Sequence, residues 1–176
     1  GGSRLIDENY HNQPEKFVEG LYKLGIATPL NLDIPGAAKK PNIRKPTKEN
    51  WYKTALPWMS IGYETQVPPM NTLAFYNAIA NNGVMVKPKF VKAIMKDGQV
   101  VEEIPTEVLN PAIASSKTIE QIQTILQKVV SDGLAKPAGS KQFHVSGKTG
   151  TAQVSKGPGG YKSGQMQYLV SFCGYF

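Results

Sequence analysis

The residues best suited to binding or catalysis lie in one run, Ser146-Gly147-Lys148-Thr149-Gly150-Thr151-Ala152. It combines one cation, three hydroxyl groups and two glycines. A lysine and a threonine after a glycine can hold a nucleotide phosphate at the start of a helix. A cation and hydroxyls on the edge of a strand can instead bind the carboxylate of an extended peptide. The run therefore allows two different chemistries, and its surroundings must decide between them.

The phosphate-binding alternative conflicts with the residues around the run. A P-loop needs a glycine five residues before Gly147, where this sequence has Gln142, and it must continue into a helix. Residues 150–154 have the character of a strand instead. We therefore predict a strand, in which Gly147 and Gly150 let a peptide approach closely. For an isolated tripeptide, a Lys-Thr-Gly that merely ends a strand would be the simpler explanation.

Two strands are predicted to position this run. Residues 144–154 and 168–176 both have strand character, and the glycine-rich loop 155–166 separates them. Such an arrangement favours an adjacent antiparallel pair. Lys148 and Thr149 are then expected to lie at a groove.

Helices are predicted from apolar periodicity over residues 13–24, 71–82 and 118–130. Asn12 is expected to cap the first helix, with Gly25 just past its end, and Ser116 or Thr118 to cap the third. The second is apolar nearly all round, which predicts a buried core helix with a stop at Asn82-Gly83.

Two other stretches have a predicted form. Residues 26–58 are rich in Pro, Lys and Asn without sustained periodicity, so we expect a long irregular connection. Residues 90–95 and 99–104 flank Lys96-Asp97-Gly98, and Asp-Gly between short apolar runs predicts an accessory hairpin.

Composition limits the class of protein and its partners. The 176 residues are 40% hydrophobic and 19% charged, which is typical of one folded domain rather than a disordered chain. The net charge of +7 would suit an anionic partner. However, Pro41 and Pro46 interrupt the densest basic stretch, residues 39–48, and it lacks stacking aromatics, so no nucleic-acid partner is predicted. No apolar stretch reaches the roughly 18 to 20 residues of a membrane span, and we expect the chain itself to be soluble.

No cofactor and no metal is predicted. Cys173 is the single cysteine, and it lies in an apolar run where it is expected to pack as a small hydrophobe. His11 and His144 are the only histidines, and they are too far apart in sequence to offer paired-ligand spacing.

A second stretch makes a family resemblance specific. Trp58-Met59-Ser60-Ile61-Gly62-Tyr63-Glu64, Val67-Pro68-Pro69-Met70-Asn71 and residues 75–88 resemble the segment between the Ser-x-Asn and Lys-Thr-Gly motifs of class B penicillin-binding proteins. Phe172-Cys173-Gly174-Tyr175-Phe176 resembles the strand beside Lys-Thr-Gly in that family. The resemblance covers residues 4–176, the C-terminal portion of the transpeptidase domain, and is closest to the division-type peptidoglycan D,D-transpeptidases. The segment 58–88 argues against a β-lactamase or a penicillin sensor, which share Lys-Thr-Gly chemistry.

The resemblance implies a fold, an activity and residue roles. The fold would be mixed α/β (α+β), an antiparallel sheet with flanking helices, here incomplete at both ends. The activity would be the cross-linking of peptidoglycan stem peptides through a serine acyl-enzyme, inhibited by penicillin. By resemblance, Lys148 is catalytic, supplying positive charge and helping proton movement. The substrate-binding residues are Lys148, Thr149, Gly150 and Thr151, with the two threonine hydroxyls on the substrate carboxylate. The backbone N–H of Thr151 would form half of the oxyanion hole, which makes Thr151 catalytic as well.

Two departures from the family pattern shape the remaining expectations. No serine is followed three residues later by lysine, and no Ser-x-Asn occurs, so the nucleophile is not in this chain. We expect residues 1–3 to be a tag or linker scar and residues 4–176 to be a partial transpeptidase domain, inactive alone. The intact parent would be anchored in the bacterial inner membrane with this domain in the periplasm. Its partners would be stem peptides, β-lactam antibiotics and the cell-division machinery. A noncatalytic β-lactam-binding, peptidoglycan-binding or sensor module of the same fold stays open as the alternative.

Overall fold

The computed structural model describes residues 1–35, 40–154 and 167–176. The helices are α1 (Gly2–Tyr10), α2 (Pro14–Lys23), α3 (Ala55–Met59), α4 (Pro69–Ala80) and α5 (Ser116–Ser131). The strands are β1 (Asn42–Ile43), β2 (Thr65–Gln66), β3 (Met85–Val86), β4 (Ala93–Lys96), β5 (Gln99–Glu103), β6 (Val108–Asn110), β7 (Ser146–Val154) and β8 (Gln167–Tyr175).

The described strands pair as β1-β2, β3-β6, β4-β5 and β7-β8, each pair antiparallel. This confirms the mixed fold of helices and antiparallel strands, although the described strands form separate pairs rather than one continuous sheet. The chain divides into two compact units, Gly1–Ala114 and Ser115–Phe176. No helix within the described ranges is both long and apolar enough to cross a bilayer.

Helix α2 confirms the first predicted helix. Its N-cap is Gln13 rather than Asn12, and no side chain caps it. Pro14 occupies the first position, where its fixed φ suits a helix and its missing N–H leaves one group fewer to satisfy. Gly25 follows the end of the helix with a φ of +81°, a conformation that favours glycine. The buried side of α2 joins the core cluster of this unit, which comprises Val18, Ala27, Ile43 and Met59.

The expectation of an irregular connection over residues 26–58 is wrong in two places. Strand β1 lies within it and helix α3 begins within it, and α3 buries Ala55, Leu56 and Met59. Two residues of strand and a five-residue helix are too short to produce a periodic pattern, which is why the sequence does not reveal them. Residues 36–39 of this stretch lie outside the described residues.

Helix α4 confirms the second predicted helix, with its start two residues earlier at Pro69. One side is buried, where the amide of Asn71 donates a hydrogen bond to the carbonyl of Thr28 at 2.7 Å. The other side is not, since Leu73 is 46% exposed, so burial on all sides is wrong. The helix ends as predicted, before Asn82 and Gly83 with φ of +52° and +93°.

Strands β4 and β5 form the predicted hairpin. Asp97 and Gly98 both have positive φ, +51° and +77°, as a tight type I′ turn requires. Every residue of β5 is exposed, and these strands pair only with each other among those described, which confirms an accessory ribbon.

Helix α5 is the main helix of the second unit and packs against β7. Its N-cap is Ser115, whose hydroxyl accepts a hydrogen bond from the Thr118 backbone N–H, so the predicted caps Ser116 and Thr118 were wrong. The buried residues of α5 are Ile119, Leu126 and Val130. Ile125 is 55% exposed because it lies at the margin of the apolar stripe.

Strands β7 and β8 confirm the predicted antiparallel pair. Their register runs without a shift from Ser146 opposite Tyr175 to Val154 opposite Gln167. No helix begins at Lys148 or Thr149, which excludes the phosphate-loop alternative. The predicted loop 155–166 lies outside the described residues.

Candidate functional site

The predicted site residues are consecutive on β7. Their partners on β8, in chain order from Lys148 to Thr151, are Cys173, Phe172, Ser171 and Val170. Because successive side chains of a strand point to opposite faces, Lys148 leaves β7 on one face and Thr149 and Thr151 on the other. Among the described strands β7 pairs with β8 alone, so its second edge offers backbone N–H and C=O groups to an extended ligand.

The Lys148 ammonium crosses from its own face to that of the threonines. Its Nζ donates a hydrogen bond to the Thr149 carbonyl oxygen at 2.9 Å and lies 3.4 Å from Thr149 Oγ1. Lys148 is exposed and Thr149 half-buried. No carboxylate of the described residues lies within ion-pair distance of this ammonium. A cation bonded to neutral oxygens keeps its charge for an anionic ligand, and the hydroxyl beside it can add a second hydrogen bond.

Strand β8 leaves little room for a side chain at the two glycines of the run. A Cβ atom on Gly147 would lie 2.6 Å from the Cys173 carbonyl oxygen and 2.6 Å from Cζ of Phe172. A Cβ atom on Gly150 would lie 2.6 Å from Oγ of Ser171. Atoms of β8 therefore occupy the space next to the two glycines. A peptide can approach β7 closely only along its unpaired edge.

Three less accessible polar side chains are Ser146, at the start of the run, and Tyr175 and Cys173 on β8. Ser146 is only 6% exposed, and it faces Tyr175 across the pair. Burial raises the pKa of the Tyr175 phenol, and the nearby Ser146 hydroxyl opposes this to a smaller extent. Burial also raises the pKa of the Cys173 thiol, opposite Lys148. At neutral pH the thiol is protonated, which makes it a poor nucleophile.

The remaining nucleophilic and metal-binding side chains form no second centre. Ser60 is half-buried, and its hydroxyl donates a hydrogen bond to the Pro57 carbonyl oxygen at 2.6 Å. No group of three or more His, Cys, Asp or Glu side chains within residues 1–35, 40–154 and 167–176 could hold a metal ion. The chemistry of the described residues is therefore concentrated on β7.

Sequence reasoning missed two residues next to the run, Phe172 and Ser171. Both lie on β8, and each occupies the space above a glycine of β7. The signal was the register of the pair, which places Gly147 opposite Gly174 and Gly150 opposite Ser171. The sequence alone does not give this register, because it depends on which residue of β8 pairs with which residue of β7.

Comparison with known proteins decides the family. The profile described as Transpeptidase, the penicillin-binding protein transpeptidase domain, matches residues 6–176. The chain belongs to this family. Membership confirms the resemblance inferred from the Lys148 run and from residues 58–88. It also agrees with the fold of helices and antiparallel strands.

Relatives of this transpeptidase family extend beyond the chain. Penicillin-binding protein PbpB of Mycolicibacterium smegmatis is 29% identical over 80% of this chain and 22% of its own length. A protein of Pseudomonas aeruginosa named probable peptidoglycan D,D-transpeptidase PbpC is 30% identical over 83% of this chain and 24% of its length. The chain thus spans about a quarter of these curated relatives.

A solved structure in the family has the same fold. Penicillin-binding protein 3 of Mycobacterium tuberculosis superimposes with a TM-score of 0.71 at 27% identity, over 92% of this chain and 36% of that one. It is also known in complex with ampicillin, with the same similarity.

Proposed function

We propose that this chain contributes the substrate-binding strand of a peptidoglycan D,D-transpeptidase whose serine nucleophile lies outside these 176 residues. Family membership supports the reaction class. The absence of Ser-x-x-Lys from the sequence supports a nucleophile from elsewhere in a longer protein. Both the stem peptide and β-lactam antibiotics would bind along the same edge of β7.

The observation that carries this proposal is the position of the Lys148 ammonium beside the Thr149 hydroxyl at an exposed strand. A D-Ala-D-Ala stem peptide ends in a carboxylate, and so does the bicyclic core of a penicillin. The ammonium would attract that carboxylate, and the hydroxyls of Thr149 and Thr151 would orient it by hydrogen bonds. The unpaired edge of β7 would align the rest of the peptide by backbone hydrogen bonds.

The reaction would proceed in two acyl transfers. The serine oxygen attacks the carbonyl carbon of the penultimate D-Ala, and the terminal D-Ala leaves with a proton on its amine. An amine of a second stem peptide then attacks the serine ester, forms the cross-link and returns the serine hydroxyl. Lys148 would assist proton movement at the serine. The Thr151 N–H would stabilise the oxyanion, a contribution that is typically about 10² to 10³ in rate per donor. A β-lactam acylates the same serine by opening of its amide ring, so the amine that leaves the carbonyl carbon stays attached to the acyl group.

The cellular setting is part of the proposal. The longer protein would be anchored in the bacterial inner membrane with this domain in the periplasm, where peptidoglycan is cross-linked. It would act with the cell-division machinery. These assignments rest on the similarity of the chain to the division-type class of the family.

Labelling with a fluorescent penicillin tests where the nucleophile lies. The 176-residue chain should stay unlabelled on a denaturing gel, because acylation needs an activated serine. The longer protein that contains it should be labelled. Labelling of the chain alone, lost on Ser60→Ala or Ser146→Ala, would contradict the proposal. Failure to label the longer protein would instead favour the noncatalytic binding module.

A further inference from the structure

The strand that carries Lys148 has a weak point directly before it. Gly147 and Gly174 face each other across β7 and β8, so this rung of the ladder has no side-chain pair. Glycine weakens a strand because it adds backbone freedom and has no side chain to pack. Such a rung would let β7 twist or fray next to Lys148 unless another side chain covers it.

Phe172 supplies that cover. It lies two residues before Gly174 on the same face of β8, opposite Thr149. Its ring lies diagonally over both glycines. The nearest ring carbon is 2.6 Å from the Cβ position of Gly147 and 2.7 Å from that of Gly174. The ring thus occupies the volume that two ordinary side chains would fill, an arrangement in which an aromatic residue compensates for a glycine in a neighbouring strand.

We infer that Phe172 is a positioning residue for the reaction, whose ring over the Gly147–Gly174 rung holds Lys148 and Thr149 in their working geometry. This inference rests on the proposed function. Gly147 is the residue before Lys148, and Thr149 is the direct partner of Phe172, so we expect loss of the ring to move both. A displacement of about 1 Å at a reacting group can lower a rate about a hundredfold.

The test uses the longer protein and Phe172→Ala, Phe172→Leu and Phe172→Tyr. Stopped-flow acylation with a chromogenic β-lactam separates the rate constant from the amplitude, which counts correctly folded sites. Phe172→Ala should lower the rate constant about tenfold to a hundredfold at unchanged amplitude. Phe172→Leu should be intermediate, and Phe172→Tyr should restore the rate because it keeps the ring. A merely structural role would lower the amplitude and leave the rate constant unchanged.

The matched control is Leu169→Ala. Leu169 lies on β8 three residues away and is 66% exposed, and its partner Ala152 has no role in the proposed site. Its truncation should leave the rate constant within about twofold of the wild type, as is usual for exposed positions.

Amide hydrogen exchange gives a readout that does not depend on the proposed function. Exchange at residues 147–150 should become faster in Phe172→Ala, with α2 of the first unit unchanged as the internal reference. Unchanged exchange, or faster exchange with an unchanged acylation rate, would overturn the inference. If the wild-type protein shows no acylation at all, the proposed function fails, and exchange alone decides whether Phe172 orders the strand. Should Phe172→Ala fail to fold, the same criteria apply to Phe172→Leu.

Discussion

At the scale of single residues, the site depends on where one cation is placed. Lys148 leaves β7 on the face opposite to Thr149, yet its ammonium bends back to the Thr149 carbonyl and hydroxyl oxygens. The charge therefore stands beside the hydroxyls instead of across the strand from them. An exposed lysine without a carboxylate partner among the described residues contributes little to the stability of the fold. Its position agrees with the proposed binding of an anionic ligand.

Gly147 is the residue whose substitution should damage the strand most directly. Gly147→Ala places a methyl group 2.6 Å from the Cys173 carbonyl oxygen, which is backbone and cannot move aside. We expect a loss of about 1–3 kcal/mol in the free energy of unfolding, the range for overpacked sites. Denaturant unfolding of the chain would measure it.

The control for this prediction is Gly20→Ala. Gly20 lies within α2, and a Cβ atom there would meet nothing within 4 Å. The free energy of unfolding should rise by about 0.5–1 kcal/mol, since alanine is the better helix residue. Equal changes in the free energy of unfolding for the two substitutions would contradict the close contact between β8 and Gly147.

At the scale of secondary-structure elements, the capping of α5 gives a separate test. The Ser115 hydroxyl accepts a hydrogen bond from the Thr118 backbone N–H, and Ser116 is the first residue inside the helix. Ser115→Ala should lower the free energy of unfolding by about 1 kcal/mol. Ser116→Ala should change it by less than about 0.5 kcal/mol. The reverse order, measured by thermal or denaturant unfolding, would return the cap to Ser116 as the sequence first suggested.

The elements also show how far sequence reasoning reaches. Helix α5, the β4-β5 hairpin and the β7-β8 pair could be predicted because each has a local signal: an apolar stripe, an Asp-Gly turn or two strand-like runs. Strand β1 and helix α3 could not, because they are shorter than any period. The Phe172 contact could not either. It depends on which residue of β8 faces which residue of β7, and that register is a tertiary property.

At the scale of the whole molecule, the chain is shorter than the relatives that it matches. It spans about a quarter of its curated relatives, and its two units comprise residues 1–114 and 115–176. The second unit holds the entire Lys148–Thr151 run together with the strand and helix that support it. Under the proposed function, substitutions in this run should change the acylation rate of the longer protein, although the chain alone holds no Ser-x-x-Lys nucleophile.

An acylation measurement can show whether Lys148 and Thr149 recognise the carboxylate of the ligand. In the longer protein, the second-order acylation rate constant is compared between a β-lactam acid and its methyl ester. The wild type should prefer the acid about tenfold to a hundredfold, the usual effect of hydrogen bonds to a charged group. In Lys148→Ala most of that preference should be lost, because the variant keeps the threonine hydroxyls but no longer has the charge that favours the acid over the ester. Thr149→Val should reduce the preference in part, and Lys141→Ala, an exposed lysine in the same unit, should retain it. A Lys148→Ala variant that still prefers the acid as strongly as the wild type would contradict the account.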